Sequence, residues 1–573
     1  MDDLSRERIA RSDRCAEPVV ALYILSAPET SSHLGLTQAD AMTTDFSAGW
    51  RDRVAAAIRT ARTSLDAAER GESDAHVRED IGILRRAVEE IEDTIAVTDA
   101  HLVALIDVAR IAFVGLRVLL DTQNPRERQA LALTRLRRYA GLEPGVAPLA
   151  TCAEAETRER FAVPGLAGPY EVQLRTALAL GPVLRDGLHS LFEAAGFDGW
   201  REPLERFTAQ CTDYARFLER ELLPRARTDH RLPREVYAFC LRQTGVDIAA
   251  DELIARAHAA FDAIRSEMDA LAPQVAAQLG CEATDYREVI RALKREQITG
   301  DAEAIAAFYR ARLAEIEAIV ARERLVTLPH RPARIRVASL AESAEVPVAH
   351  MNPPPLVGNT GQVGEFVLPL DVPPPPGGTG AERSDDFTHD AVTWTLTAHE
   401  ARPGHEAQFD RMLERGLSLA RAIFAFNSVN VEGWALYSEE LVLPFMPLAG
   451  QLCSLLMRLH RAARAFLDPE SQSGARSPED VQQFLEREIV FSPTFARSEV
   501  ERYTFRSPGQ ATSYFYGYTK LRALRADVER TLRERFDALA FHDFVLDQGL
   551  VPPDALRAAI FERFVPPLAP PAA

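Results

Sequence analysis

The stretch His399-Glu400-Ala401-Arg402-Pro403-Gly404-His405, followed further on by Glu432-Gly433-Trp434-Ala435-Leu436-Tyr437-Ser438-Glu439, decides how this chain is read. It supplies two imidazoles, a carboxylate beside the first of them and a carboxylate downstream, which are the parts a hydrolytic zinc site requires. A catalytic zinc ion takes about three protein ligands, commonly two His and one Glu, and keeps a fourth position for water, whose pKa it lowers to roughly 7. A further carboxylate takes the proton of that water and passes it to the leaving group. In His-Glu-x-x-His helices the Glu beside the first His points at the water. Glu400 is therefore the candidate general base, and His399, His405 and Glu432 are the candidate metal ligands.

The spacing is irregular. Residues four apart share a helix face, but the position four after His399 is Pro403, which cannot ligate a metal. The next histidine is six residues on, about 240° around an unbroken helix. Pro403 removes a backbone donor and clashes with the preceding turn, while Gly404 permits a change of direction. The pair is expected to swing His405 back toward His399. The alternative is a helix terminus carrying two incidental histidines.

Three blocks in order, His399-Glu400-x-x-Pro403-Gly404-His405-x-x-Gln408, Glu432-Gly433-Trp434-Ala435-Leu436-Tyr437 and Pro508-Gly509-Gln510-Ala511-x-Ser513-Tyr514-x-x-Gly517, resemble the signatures of the bacterial domain-of-unknown-function 885 (DUF885) family. Further similarity extends from about Glu17 to Pro567, including Phe541-His542-Asp543-Phe544 and Gln548-Gly549-Leu550-Val551-Pro552. The resemblance implies a relative of the gluzincin metallopeptidases: a mainly α, two-lobed helical fold with a small β element beside the active-site helix. It also implies one zinc ion per chain held by His399, His405 and Glu432, with Glu400 as base. The tyrosine block adds Tyr514 as a donor to the oxyanion of a tetrahedral intermediate, a contribution worth a few kcal/mol. Tyr518, one helical turn later, is the second choice, and an aromatic core stripe is the competing reading of both.

Two positions depart from the family pattern: Glu406 and Gln472 stand where many members carry His, so a histidine that would assist catalysis is absent. The segment Arg502–Pro508 also reads one residue longer than usual.

The implied domain plan is a tail over 1–16, one intertwined helical domain over 17–567, and a tail over 568–573. Within the domain lie a β- and Pro-rich insert at about 330–380 and a metal-site core at about 388–525. At 573 residues and 47% hydrophobic, the chain has ample material for a large core. Apolar residues at Ile81, Leu84, Val88, Ile91 and Ile95 mark one buried helix face, and Leu102–Leu120, Pro203–Leu222 and Asp251–Leu271 read as further helices. Arg334–Ser339 and Gly364–Pro369 are short β-type runs set off by Pro353-Pro354-Pro355 and by Pro373–Pro376. They are expected to form a small sheet whose edge holds an extended substrate, or else a passive linker.

A net charge of −18 opposes nonspecific binding to nucleic acid or to anionic membranes. Six cysteines are scattered singly with no Cys-x-x-Cys pair, and the start Met1-Asp2-Asp3 is unlike a signal peptide, so a reducing, cytoplasmic location is expected. The apolar run Val19–Ala27 reads as core, and no run approaches the ~20 residues that span a bilayer. Among other polar residues, His350, His389 and His542 are weaker candidates for the site, and Arg522 and Arg525 are candidates for a substrate carboxylate or for pairing with surplus acids.

The leading reading is a zinc-dependent metallopeptidase cleaving peptide or other amide bonds, with a peptide or small amide as its partner. The alternatives are a metal-dependent enzyme acting on a small amine-containing metabolite, and a non-catalytic helical binding protein that keeps the pocket. Oligomeric state and the choice between terminal and internal cleavage are not encoded in these motifs.

Overall fold

Apolar positions repeated at three- and four-residue steps commit most of the chain to helices, and the computed structural model, which describes residues 3–283 and 285–568, is mainly α. The chain opens with α1 (Asp3–Ser26), α2 (Trp50–Gly71) and α3 (Ala75–His101), packed on one another. Helix α3 starts where the Asp74 carboxylate accepts from the N–H groups of His76 and Val77, and it buries Ile81, Leu84 and Val88, with Ile91 and Ile95 at the margin. The expected tail over 1–16 needs correction from Asp3 onward. Those residues are the first turns of α1, anchored because Ala16 is buried and Ser12 donates to Asp80 at 2.7 Å. In the same helix Val19 and Leu22 are core, as the apolar run suggested. Of the C-terminal tail, 569–573 lie outside the described residues.

The helix expected over Leu102–Leu120 begins only at Val108 (α4, Val108–Leu120). Leu102 pairs instead with Ala167, and the Asp107 carboxylate caps the true start by accepting from Arg110 N–H. Then come α5 (Glu171–Ala195), α6 (Arg201–Phe217, continued by a π turn at Leu218–Leu222), α7 (Ala250–Leu279) and α8 (Ala302–Arg322). One apolar core lies among α4, α5 and α6. Another joins α7 to the long helix Leu448–Ser473. A third joins α1, α2 and α3 to Trp434, Tyr514, Tyr518 and the last helices, so the beginning and the end of the chain share one interior.

The middle forms a three-stranded sheet in the order β1-β3-β2. Strand β1 (Arg334–Val337) runs parallel to β3 (Glu365–Leu368), and β2 (His350–Asn352) runs antiparallel to it. Strand β3 is buried along its length. The one charge there, Glu365, is met by Arg334 at 3.1 Å and Arg336 at 2.7 Å. Both β-type runs seen in the sequence are strands. Strand β2, only three residues long and followed by prolines, carried no readable period. It packs with β3 against the turn that holds His399.

Candidate metal centre

Helix α9 (Asp390–Leu396) passes into a π turn, Thr397–Ala401, that carries His399 and Glu400. The chain then leaves the helix through an extended Arg402, a cis Arg402–Pro403 bond and Gly404, and starts α10 (His405–Arg415) on the second histidine. A Cβ on Gly404 would lie 1.9 Å from the His399 carbonyl oxygen and 2.4 Å from that of Ala398, so only glycine fits. The Trp434 indole N–H pins the same turn by donating to the Pro403 carbonyl at 3.0 Å. This reversal brings the two imidazole rings to 4.8 Å between centroids, at 86° to one another. A six-residue spacing that is wrong for one helix is thereby resolved by ending one helix and beginning another.

Glu432 stands on α11 (Ser428–Val442), capped by the Asn427 side chain, and Tyr514 stands on α12 (Ser513–Leu532). The two helices cross glycine to glycine. A Cβ on Gly517 would fall 1.9 Å from the Val429 carbonyl oxygen, and one on Gly433 would fall 2.5 Å from the Gly517 carbonyl carbon. Backbone contact at that crossing sets Glu432 and Tyr514, each within a turn of it, beside the histidines.

The Glu432 Oε2 atom lies 3.3 Å from His405 Nε2 and 3.6 Å from His399 Nε2. Ligand atoms from all three residues fall within 4.8 Å of one another. Tetrahedral zinc with bonds of about 2.0–2.1 Å separates its ligands by about 3.3 Å, so the donor set fits a zinc-sized ion. Glu432 Oε2 is also buried without a hydrogen-bond partner. Burial works against the charge on Glu432, but His399 and His405 outweigh it and hold its carboxyl well below the usual range. Burial likewise opposes a charge on His399, yet Glu432 and Glu439 raise its imidazole to about 9. The positive charge these carboxylates draw onto His399 is the charge a metal ion would supply in its place.

Two groups that orient the cluster escaped the sequence reading. Glu439 accepts from His399 Nδ1 at 2.7 Å and from the Thr395 hydroxyl at 2.5 Å, the carboxylate–histidine pairing that fixes which ring nitrogen faces a metal. Its signal was present: Glu439 lies seven residues after Glu432, two turns along the same helix face. Gln510 donates to Glu432 Oε1 at 3.3 Å, leaving Oε2 for the histidines, and no periodicity marks it.

Glu400 is buried beside His399, and its charge reaches His399, His350 and Tyr309. The Tyr514 ring lies 14° from the plane of His399 at 6.2 Å, with the Arg464 guanidinium 4.5 Å from the ring centre. Arg464 is gripped by Glu499 at 2.6 and 2.7 Å, and Glu499 also accepts from the Tyr503 hydroxyl at 2.8 Å. Burial, with the Glu432 carboxylate adding to it, pushes the Tyr514 phenol up, so it remains a hydrogen-bond donor.

The second choices go elsewhere. Tyr518 donates to Glu440 at 2.5 Å, Arg522 lies 3.4 Å from the same acid, and Arg525 pairs with Glu529 and Tyr437. His542 contacts the Tyr437 hydroxyl and the Leu325 carbonyl, and His389 is buried at the start of α9. His350, on β2, is the one of these histidines whose neighbourhood includes Glu400. Glu406 turns to Arg402 at 2.6 and 2.9 Å, and Gln472 bridges Leu232 N–H and the Tyr503 carbonyl. The Arg502–Pro508 segment contains a π turn at Arg502–Arg506.

Two solved structures, each described as a "putative lipoprotein", share this fold. The one from Colwellia psychrerythraea has a TM-score of 0.75 at 17% identity, covering 96% of this chain and 99% of its own. The one from Shewanella oneidensis, described as of unknown function, has a TM-score of 0.70 at 18% identity with coverage of 96% and 99%. At such identities the likeness establishes the fold alone. Trypanosoma cruzi metallocarboxypeptidase 1 also matches, at 13% identity over 97% of this chain and 92% of its own, but its TM-score of 0.29 carries no argument. No curated protein matches the sequence.

The description of both neighbours corrects the expected cytoplasmic location. Cys211 and Cys453 are buried and burial pushes their thiols up to about 12, which keeps them unreactive whatever the compartment. Among the described residues no helix is long and apolar enough to cross a membrane. The model of the family described as bacterial protein of unknown function (DUF885) matches residues 28–560, and the chain belongs to that family.

Proposed function

We propose that this protein is a zinc-dependent hydrolase of peptide or other amide bonds, of the gluzincin type, with one ion held by His399, His405 and Glu432. The observation that carries this reading is Glu432 Oε2, buried and unpartnered yet 3.3 and 3.6 Å from two imidazole nitrogens. Leaving a buried acceptor unsatisfied costs about 1–3 kcal/mol, and a cation among the three residues removes that cost. Bound there, the ion would acidify water and polarise the amide carbonyl.

The chain's own groups perform the remaining steps. Glu400, adjacent to His399 in the π turn, accepts the proton of the attacking water and returns it to the leaving amine. Tyr514, protonated and held over His399 by its neighbours, donates to the developing oxyanion. Glu439 holds His399 by Nδ1 so that Nε2 faces inward. Strand β2 is an edge of the sheet, and it carries His350 toward Glu400, which makes it the strand along which an extended substrate backbone adds.

The test is metal content and turnover together. Wild type purified without chelator is expected to hold about one zinc per chain, lost in His399→Ala and Glu432→Ala, whereas Glu400→Gln keeps the metal and loses cleavage of a peptide library. Wild type that takes up no zinc on reconstitution, or Glu400→Gln that cleaves at the wild-type rate, would refute the reading.

A further inference from the structure

A cavity of about 390 Å³ lies between α4 and α5 on one side and the Arg502–Arg506 π turn on the other, within the size range of small-ligand sites. Its ionisable lining is Asp107, Arg110, Glu345, Arg502 and Arg506. In a protein of net charge −18, a wall with three arginines against two acids is an inversion of sign. Most of these groups already have partners, Arg506 meeting Glu501 at 2.8 Å. Asp107 caps α4, and Glu345 is shared between Arg110 at 3.7 Å and Arg117 at 3.6 Å.

Arg502 is the cation of this lining that hydrogen bonds tie to the metal cluster. Its Nη1 donates to Gln510 Oε1 at 2.9 Å, and its Nε is 3.5 Å from Glu499, an acid already gripped by Arg464. Among the described residues, Nη2 donates to no acceptor of the protein. Gln510, which receives Arg502, in turn donates to Glu432 Oε1 at 3.3 Å, so two hydrogen bonds separate this guanidinium from the metal cluster. Also in the lining is Val348, whose carbonyl accepts from His350 on β2 at 2.9 Å. Arg502 therefore lines the cavity while being tied through Gln510 to the cluster, and Val348, in the same lining, is hydrogen-bonded to the proposed substrate strand.

We propose that this cavity takes the free carboxylate end of the substrate, with Arg502 as the carboxylate-binding group, so that the substrates are short peptides or N-acyl amino acids cleaved close to a free C-terminus. A guanidinium with an open donor edge suits a carboxylate by its planar fork, and a neutral carboxamide cannot replace that charge-assisted contact. The inference rests on the hydrolase reading, and its test separates binding from turnover.

Full-length, zinc-incubated Glu400→Gln protein is presented with a random pool of N-acetylated pentapeptides made twice, once as free acids and once as C-terminal carboxamides. Retention is measured by affinity selection and mass spectrometry. The acid pool is expected to be retained about thirtyfold more strongly, and Arg502→Gln in the same background is expected to bring the ratio near one. Equal retention of the two pools, a ratio that survives Arg502→Gln, or no retention of either pool would overturn the proposal. The comparison of pools needs no change at Arg502, so it stands even where that variant folds poorly. Turnover is measured separately on protein with Glu400 intact. Absence of cleavage there, with the acid preference present, sinks the hydrolase reading and leaves the carboxylate site standing.

Discussion

Replacing Gly404 by alanine asks whether the chain reversal, and not merely the presence of two histidines and a glutamate, makes the metal centre. The added Cβ would sit 1.9 Å from the His399 carbonyl oxygen and 2.4 Å from that of Ala398. Carbon and oxygen in close contact lie about 3.3–3.6 Å apart, so the turn must open by more than about 1 Å. Both obstructing atoms are backbone, so no side chain can step aside. His405 is the next residue, and metal–ligand distances tolerate only about 0.2 Å, which takes its Nε2 out of bonding range. Losing even an outer partner of a ligand weakens metal binding about 10–100-fold, so loss of a ligand is expected to weaken zinc by at least ~100-fold. Overpacking at the turn itself costs about 1–3 kcal/mol of stability. The assay is chelator competition, with urea unfolding in the presence and absence of zinc. At zinc a thousandfold above the wild-type Kd the ion stabilises wild type by about 4.1 kcal/mol, and the variant by only about 1.4 kcal/mol. A folded Gly404→Ala protein that binds zinc within about threefold of wild type would refute the argument.

Glu439→Gln leaves an acceptor for His399 Nδ1 but removes its charge. Zinc affinity is expected to fall about 10–100-fold with the fold retained, and unchanged affinity in chelator competition removes Glu439 from the site. For pH, burial chiefly pushes His389 and His542 down to about 4. The unfolded imidazoles titrate near 6.5, so between about 6.5 and 4 the unfolded chain binds more protons and stability is lost as the pH falls. Each contribution is at most about 3 kcal/mol, fully present above about pH 6.5. The urea midpoints of wild type and His542→Gln are therefore expected to converge as the pH drops from 7 to 4.5, and a constant gap contradicts the assignment.

The helical character of the chain was legible because burial writes a three-to-four-residue period into stretches such as Ile81–Val88, where the structure buries those side chains. The start of α4 was not, because the run Leu102–Ile106 is apolar enough to continue a helix. The decision to begin at Val108 belongs to one cap, Asp107, and to a bridge with Ala167 that is remote in sequence. Strand β2 escaped for a related reason: three residues are too few for a period, and their partner lies on a strand beyond the prolines. At the metal centre the residue types were legible, and Pro403-Gly404 signalled a turn that returns His405 to His399, but the closeness and angle of the rings were not. Nothing in the order His399, Pro403, His405 says that the two imidazoles meet at 4.8 Å, since that depends on the close fit of Gly404 under two carbonyls. Gln510 was marked only as a member of the Pro508–Gly517 block, and its role was opaque because an amide that orients a carboxylate is chosen by its position in space.

Three glycines link the chemistry to the fold. Gly404 adjoins His405, Gly433 adjoins Glu432, and Gly517 lies one turn from Tyr514, and each occupies a place where a Cβ would strike backbone. The helices that deliver the site are therefore in main-chain contact where its side chains converge. Small shifts of one helix cannot be absorbed by repacking side chains between them. The same convergence buries Glu400, Glu439 and most of Glu432 around two imidazoles, a cluster with more carboxylates than positive charges to offset them. In the proposed hydrolase a divalent ion would supply that missing charge, and the glycine contacts would hold the ligands in place before it arrived. Metal binding would then be coupled to the α11–α12 crossing. A substitution such as Gly517→Ala, which touches no ligand but drives a Cβ to within 1.9 Å of the Val429 carbonyl oxygen, acts on the site through Glu432 and Tyr514 together.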